Sequence, residues 1–224
     1  METHKEDQRQ FVVEYIKEQN INILNKDIYE FGVYTGGSFI KFQRLLMDLQ
    51  LKCRNIYGFD SFKGLPKKEG MFNKKDFNAL KNFNKDITKQ DSIKNIIKTL
   101  KQRISFSDIP TYFISGFFKD VLNDSLVLQY DFKSAIFIDI DVDIYSSTIE
   151  CLEFMFQNNL IEKDTIIAYD DWGAFKEFTG GESKAHIELM KKYNTTVEEI
   201  FKYQNPNYLN SIQTVFIVRK IKWF

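Results

Sequence analysis

Short apolar runs alternate with longer segments of helical period along most of this chain. The apolar runs, rich in β-branched and aromatic residues, predict strands at Ile28–Val33, Asn55–Phe59, Thr111–Ile114, Ser134–Ile140 and Asp164–Tyr169. The helical period predicts helices near Lys5–Glu18, Phe39–Leu51, Asp91–Arg103, Ser146–Phe156 and Glu182–Tyr193. Strands separated by helices are typical of βαβ units and a parallel sheet, whose covered faces explain strands that are almost entirely apolar.

The end of the chain breaks this alternation. Val197–Tyr203 and Ser211–Arg219 are both strand-like, and Gln204-Asn205-Pro206-Asn207 between them is typical of a turn, so we predict an antiparallel hairpin. Five parallel strands followed by a hairpin resemble the seven-stranded sheet of class I methyltransferases. We therefore expect one Rossmann-like α/β domain over residues 1–224, with a helical segment at 1–27 and helices on both faces of the sheet. Residues 61–87 lack clear periodicity and predict a long loop, which is a candidate lid.

The composition limits the classes of partner and the cellular location that we expect for this chain. The chain carries 31 basic and 31 acidic residues, so no overall field favours nucleic acid or an anionic membrane. The basic stretch from Lys63 to Lys85 is interpreted as a solvated loop rather than an anion-binding patch. With 2 cysteines, no signal-peptide core and no apolar run of membrane-spanning length, we expect no disulfide framework, no cysteine zinc site and a cytoplasmic location.

The first predicted strand runs into a glycine-containing loop, Glu30-Phe31-Gly32-Val33-Tyr34-Thr35-Gly36-Gly37-Ser38, which leads directly into a helix. Glycines allow a sharp turn and a close backbone approach, and parallel sheets bind ligands in the crevice beyond their carboxyl ends. The spacing E-x-G-x-x-x-G differs from the G-x-G-x-x-G of dinucleotide binders. Taken alone, the loop fits a structural turn as well as a cofactor cradle.

Two further strand ends favour the cofactor interpretation. The second strand ends at Asp60, whose carboxylate could accept both hydroxyls of a ribose or, alternatively, cap the following turn. The third ends in Ser115-Gly116-Phe117-Phe118, which supplies a polar group and an aromatic ring that could meet an adenine, although both phenylalanines could equally be core residues.

Acidic residues concentrate at the ends of the fourth and fifth strands. Asp139, Asp141 and Asp143 alternate with apolar residues and would share one face if the strand continued, and Asp170 and Asp171 end the next strand. Adjacent carboxylates repel each other unless a cation or hydrogen-bond donors neutralise them. Oxygen ligands favour Mg²⁺ or another hard divalent cation. The alternative is that these residues are helix caps and turn acids.

One of these stretches carries a more specific resemblance. Asp141-Val142-Asp143-Ile144-Tyr145-Ser146-Ser147-Thr148 resembles the D-x-D-[LIM]-Y-x-S-T motif of the macrocin O-methyltransferase family. Further similar stretches are Glu30–Ser38, the run Tyr57-Gly58-Phe59-Asp60-Ser61-Phe62-Lys63-Gly64-Leu65-Pro66, Gly116-Phe117-Phe118, Asp170-Asp171-Trp172-Gly173 and Gly180-Gly181-Glu182-Ser183-Lys184-Ala185. The resemblance implies a metal-dependent enzyme that transfers a methyl group from S-adenosylmethionine (SAM) to sugar hydroxyls of antibiotics and related glycosides.

The resemblance also implies site residues. Asp143, Asp170 and Asp171 would hold Mg²⁺, with Asp143 as the general base and Asp141 nearer the cofactor; the extra acid Asp139 leaves the register ambiguous. With Asp141, the residues expected to contact SAM are Glu30, Gly32, Val33, Tyr34, Gly36, Ser38, Asp60, Ser61, Ser115, Gly116 and Phe117. Trp172 replaces the family's usual tyrosine and could alter the acceptor pocket. We expect His186 to be a surface residue of its helix rather than a catalyst.

The expected reaction is SAM- and Mg²⁺-dependent methylation of a hydroxyl on a carbohydrate or other small-molecule acceptor, without nucleic-acid or membrane partners and with homo-oligomerisation left open. A nucleotide-dependent oxidoreductase is a first alternative, which the glycine spacing and the late hairpin disfavour. A non-catalytic SAM- or metal-binding module is a second. Nucleic-acid methylation is a third, disfavoured by the neutral charge and the lack of a broad basic face.

Overall fold

A computed structural model describes residues 7–82, 93–174, 180–204 and 212–222. Its strands are β1 (Asp27–Phe31), β2 (Asn55–Asp60), β3 (Thr111–Ser115), β4 (Ala135–Ile140), β5 (Ile166–Tyr169), β6 (Thr196–Gln204) and β7 (Ile212–Lys220). Its helices are α1 (Gln8–Glu18), α2 (Gly37–Asp48), α3 (Ala79–Asn82), α4 (Ile93–Arg103), α5 (Phe118–Val121), α6 (Asp124–Tyr130), α7 (Tyr145–Gln157) and α8 (Gly181–Lys192).

The strands form one seven-stranded sheet in the order β3-β2-β1-β4-β5-β7-β6. Strands β1 to β5 pair in parallel, whereas β7 runs antiparallel to both β5 and β6. The expected Rossmann-like sheet, the neighbouring positions of β4 and β5 and the antiparallel hairpin are confirmed. The strand order reverses between β1 and β4, which is where parallel sheets open a crevice for ligands.

The core lies on both faces of the sheet. On one face α1, α2 and α4 contribute buried side chains such as Val12, Phe42 and Leu100. On the other face α7 and α8 contribute buried side chains such as Leu152 and Leu189. Side chains of successive strand residues point to opposite faces, so Ile28 belongs to the first cluster and Tyr29 to the second. Glu30, two residues after Ile28, therefore points to the first face, where α1 and α2 pack.

Local structure differs from the sequence prediction in two places. The predicted loop 61–87 contains, within its described part, helix α3 and a β-bridge between Glu69 and Phe72, because backbone bonds fold it back on itself. Helices α5 and α6 were not predicted, because each is too short to show a helical period in its sequence. Residues Lys5, Asp91 and Ser211, the segment 205–207 and residues 83–87 lie outside the described ranges. In those ranges, no helix combines the length and apolarity that a membrane span needs.

Candidate active site

A cavity of about 310 Å³ opens at the carboxyl ends of the parallel strands. Ten of the residues predicted from the sequence line it: Gly32, Val33, Tyr34, Ser38, Asp60, Ser61, Gly116, Phe117, Asp141 and Asp143. Glu30, Gly36, Ser115, Asp170 and Asp171 are not among the lining residues. The chain segments that follow β1, β2, β3 and β4 thus meet around one space, as the sheet topology requires.

Asp60 combines the two interpretations that its sequence position allows. One carboxylate oxygen accepts a hydrogen bond from the backbone N–H of Phe62 at 2.6 Å, which caps the turn after β2. The other accepts from the backbone N–H of Tyr34 at 2.5 Å, which fixes the loop after β1. Because Asp60 also lines the cavity, it braces two of the cavity's walls while remaining available to a bound ligand.

The first loop glycine serves packing between strand ends. Gly32 has φ +99°, and a Cβ placed there would lie 1.8 Å from the carbonyl oxygen of Asp141. A larger residue would therefore push apart the segments leaving β1 and β4. Gly32 thus keeps the acidic segment after β4 close to the cofactor loop.

Glu30 is buried and bonded to Ser38, a residue of the cavity lining. Its carboxylate accepts a hydrogen bond from the Ser38 hydroxyl at 3.3 Å. In the parallel register of β1 and β4, Glu30 is directly opposite Asp139. Burial, and then the charge of Asp139, raises the pKa of Glu30 well above its usual value. Two buried acids therefore face the same side of the sheet, where repulsion must be relieved.

Asp139, at the end of β4, and the two acids that follow the strand do not share one face, because β4 ends at Ile140 and Asp143 adopts a left-handed φ of +64°. Asp139 and Asp141 point to α1, where Arg9 binds them both: its Nε lies 2.5 Å from Asp139 Oδ2, and a terminal nitrogen lies 3.0 Å from Asp141 Oδ2. Arg9 carries no motif or spacing that marks it as a partner of these acids in the sequence. The only signal available was that buried acids need a cation, and 130 residues separate Arg9 from Asp139.

Asp143 instead forms a hydrogen-bonded pair with Asp171. Burial, and then the charge of Asp171, raises the pKa of Asp143 to about 10, while burial raises the pKa of Asp171 to about 6. The pair therefore shares a proton at neutral pH. The left-handed turn at Asp143 is what directs its carboxyl group to the end of β5 and away from Arg9.

Glu182, in the first turn of α8, connects the ends of β4 and β5. Its fully buried carboxylate accepts hydrogen bonds from the backbone N–H groups of Val142, at 3.2 Å, and Asp171, at 3.0 Å. It therefore fixes the backbone on which both members of the acidic pair are mounted. The motif containing Glu182 was recognised in the sequence, but this role was not.

The expectation that His186 is a surface residue is wrong. His186 is 4% exposed, its Nδ1 lies 2.8 Å from the Tyr169 hydroxyl, and its ring stacks on Phe216 at 4.4 Å between centroids. Burial lowers its pKa to about 3, so the imidazole is neutral. Its position on the inner face of α8, next to Trp172, makes it part of the support behind the end of β5.

The segment after β2 closes over the cavity through Glu69. The carboxylate of Glu69 accepts hydrogen bonds from the backbone N–H of Tyr145, at 2.6 Å, and from the Ser146 hydroxyl, at 3.1 Å. Both donors belong to the first turn of α7, where a negative charge is favourable. Leu65, Pro66 and Phe77 of the same segment line the cavity. Glu69 therefore connects this candidate lid to the segment that carries Asp143.

The donor set is chemically suited to a hard divalent cation, because it consists of carboxylate oxygens and includes a pair, Asp143 and Asp171, that Arg9 does not bind. Asp170 adjoins this pair, and its side chain is 31% exposed. Among the residues that the structure describes, no group of three or more acids, histidines or cysteines is arranged as metal ligands.

The sequence and the fold are similar to those of known methyltransferases. The model of a family described as macrocin-O-methyltransferase (TylF) matches residues 4–200. No curated protein matches the sequence. The O-methyltransferase NovP shares 20% sequence identity and a TM-score of 0.64, over 95% of this chain and 78% of NovP.

Two further solved structures show the same fold at lower identity. The calicheamicin methyltransferase CalS11 has 16% identity and a TM-score of 0.61, over 93% of this chain and 77% of CalS11. An O-methyltransferase from Bacillus cereus, in complex with SAH, has 14% identity and a TM-score of 0.58, over 96% of this chain and 83% of that one. These likenesses confirm the class I methyltransferase fold.

Proposed function

The chain belongs to the macrocin-O-methyltransferase family and is a SAM-dependent O-methyltransferase, and from this premise we propose that it methylates a hydroxyl of a sugar or glycosylated small molecule with the help of a divalent cation, Mg²⁺ foremost. The family match over residues 4–200 supports the reaction class and favours a carbohydrate acceptor. The cation and the acceptor are the parts that this proposal adds.

One observation carries the proposal: the strand order β3-β2-β1-β4 places chemically different residues on the two sides of the cavity. Asp60, Tyr34 and Phe117 supply a carboxylate and aromatic rings on one side, suited to a ribose and an adenine. Asp141 and Asp143 supply carboxylates on the other. A nucleoside-bearing methyl donor and a hydroxyl acceptor would therefore meet within one 310 Å³ space.

Asp143 is the proposed proton acceptor. In the reaction, the bond from sulfur to the methyl carbon breaks, a bond from that carbon to the acceptor oxygen forms, and the hydroxyl proton must leave. Asp143 lines the cavity, and its carboxylate, once ionised, can accept the hydroxyl proton. Its partner Asp171 remains outside the cavity lining and holds it by a hydrogen bond. Asp143 thus touches the reacting hydroxyl, while Asp171 positions Asp143.

Asp143, Asp170 and Asp171 are the residues proposed to hold the cation. Such an ion, when bound, supplies charge that stabilises the developing alkoxide and favours the ionised form of nearby carboxylates. The all-oxygen donor set and the partial exposure of Asp170 support this assignment. Glu182 contributes by fixing the backbone N–H of Asp171.

Calorimetric titration with S-adenosylhomocysteine, with and without Mg²⁺, tests the cofactor side. We expect Asp60→Asn to weaken binding about tenfold, because ribose hydroxyls donate more strongly to a charged carboxylate than to an amide. The matched control is Asp48→Asn, an exposed residue at the end of α2, which should bind as the wild type does. Equal affinities of D60N and the wild type would contradict the assigned cofactor side.

Transfer of a labelled methyl group from SAM to a panel of nucleotide sugars and glycosides tests the acceptor and the cation. Transfer to a sugar hydroxyl that stops on chelation and returns with Mg²⁺ is the expected result. Full activity in chelator would remove the cation from the proposal, and transfer only to acceptors without a sugar would remove the carbohydrate.

A further inference from the structure

Arg9 lies in the first turn of α1, and only 5% of it is exposed. Its guanidinium reaches three acids: Asp139 and Asp141 through the short contacts already described, and Asp170 at 3.8 Å. A guanidinium stays protonated at any physiological pH. This side chain is therefore a permanent, buried positive charge at the carboxyl ends of β4 and β5.

The acids need such a charge. Asp139 is 1% exposed and directly opposite the buried Glu30, so two like charges would otherwise meet on one face of the sheet. Within the described ranges, every ion pair formed by Asp139, Asp141 or Asp170 is with Arg9. A buried arginine with several carboxylate partners relieves the repulsion that would otherwise oppose folding.

Arg9 is held in place independently of these acids. Asp7 caps α1 by accepting from the backbone N–H of Arg9 at 2.8 Å, and Lys41 of α2 binds Asp7 at 2.6 Å. The backbone N–H of Gln8 donates to the side chain of Gln213 on β7 at 3.1 Å. The first turn of α1 is thus attached to both neighbours, which fixes the backbone that carries the Arg9 side chain.

The five acids are consequently divided. Asp139 and Asp141 form ion pairs with Arg9. Asp143 and Asp171 are hydrogen-bonded to each other and form no ion pair within the described residues. Asp170 stands between the two groups, because its Oδ1 faces Arg9 and also accepts from Gln213 at 2.7 Å. A divalent cation entering this region would meet the charge of Arg9 on one side.

We infer that Arg9 is a positioning residue that acts as a built-in cation: it holds Asp139 and Asp141, competes for Asp170, and confines a divalent cation to the side of Asp143 and Asp171. This inference rests on the proposed cation dependence. It predicts a change in divalent-cation affinity opposite to the change expected if Arg9 had only a structural role. Removal of Arg9 frees three carboxylates and should tighten divalent-cation binding, whereas simple loss of structure would weaken it.

The test is titration of the full chain with Mn²⁺ alone, followed by electron paramagnetic resonance. We expect Arg9→Met to bind Mn²⁺ at least tenfold more tightly than the wild type, while kcat for methyl transfer falls. Arg9→Lys is the charge-retaining comparison: it keeps one positive charge but loses the planar fork that reaches three acids, so its affinity for Mn²⁺ should lie between those of the wild type and R9M. The double variant R9M/D139N removes the arginine together with its closest buried partner. It should also bind more tightly than the wild type, and it replaces R9M if that variant does not fold.

Each outcome of the titration supports or overturns the inference on Arg9. Wild-type binding together with equal or weaker binding by R9M and R9M/D139N would overturn the inference and leave the cation proposal standing. Binding by those two variants but not by the wild type would show that Arg9 excludes the cation altogether, which would overturn its confinement beside Asp143 and Asp171 and remove the cation from the proposed function. No Mn²⁺ binding by any of the proteins would overturn both.

Discussion

Helices α1 and α8 support the same acidic strand ends from opposite faces of the sheet, but by different means. On the α1 side, Arg9 binds the side chains of Asp139 and Asp141 through charge. On the α8 side, Glu182 is itself an acidic residue and binds the backbone instead, through the N–H groups of Val142 and Asp171. One face therefore controls the charge of the acids and the other controls where their backbone lies.

This difference explains how a buried acidic cluster can be both stable and reactive. A carboxylate bound to a permanent cation has a lowered pKa and is therefore a weaker proton acceptor. Asp143 and Asp171 escape Arg9 because the chain turns left-handed at Asp143, and they are located by the backbone bonds of Glu182 rather than by an opposite charge. The pair that remains has the raised pKa values expected of groups poised for proton transfer.

Replacement of the proposed base gives the largest expected effect. Asp143→Asn keeps the shape of the side chain and a hydrogen bond to Asp171 but cannot accept a proton, so kcat/KM for methyl transfer should fall about 10²–10⁴-fold. Binding of S-adenosylhomocysteine should change little, which separates catalysis from folding. Asp48→Asn serves as the control. An Asp143→Asn enzyme that keeps more than a tenth of wild-type activity would transfer the role of base to another acid, with Asp141 the first to examine.

Removal of the backbone support comes next. Glu182→Ala leaves two buried N–H groups without an acceptor, and we expect it to lower the free energy of unfolding by about 3 kcal/mol in urea titrations. Glu182→Gln keeps one oxygen acceptor and should lose about half as much. If α8 acted through charge, the two variants would be equally destabilised, and the contrast between the two faces would fail.

Much of this architecture could be predicted, because the information is local. Strand and helix positions follow from the hydrophobic period, and the neighbouring positions of β4 and β5 follow from right-handed parallel connections. Many residues of the cavity wall could be predicted too, since they sit at strand termini that the pattern reveals. Asp60 shows the limit: its capping role and its place in the cavity wall are both real, and the sequence could not rank them.

The acidic side could be predicted in composition but not in arrangement. Alternation suggested one face for Asp139, Asp141 and Asp143, whereas a backbone turn separates the third from the others. Arg9 and Glu182 approach from helices distant in sequence, and only tertiary packing determines which polar side chain of an amphipathic helix points inward. The same reason underlies the error on His186.

His186 provides a pH-dependent test of the α8 side. Its pKa is lowered to about 3 in the folded protein and lies near 6.5 when unfolded, so only the unfolded chain takes up the proton between these values. The neutral imidazole's contribution is complete above pH 6.5 and is lost as pH falls below it. By pH 5 the loss should reach about 2 kcal/mol.

Urea unfolding of wild type and His186→Gln at pH 7.5 and pH 5 measures this loss. Other groups titrate in both proteins, so the difference between the two pH responses isolates the histidine, and the glutamine variant should lose about 2 kcal/mol less on acidification. Identical responses would show that the imidazole is charged or exposed in the folded protein.

The smallest expected effect concerns the lid, which approaches the same acidic segment from a third direction. Glu69 uses the strategy of Glu182, since its carboxylate accepts the backbone N–H of Tyr145, and it also binds the Lys67 side chain at 3.2 Å. Glu69→Ala should cost about 1 kcal/mol, as loss of a helix cap does, and should speed hydrogen exchange about fivefold at the lid amides of Leu65 and Lys75, which are bonded within the lid. Lys67→Ala removes only an exposed ion pair and should change exchange less than twofold. Equal acceleration in both variants would mean that surface charge, rather than the cap on α7, holds the lid. Support of the acidic segment by a carboxylate that binds backbone N–H groups would then be limited to Glu182 of α8.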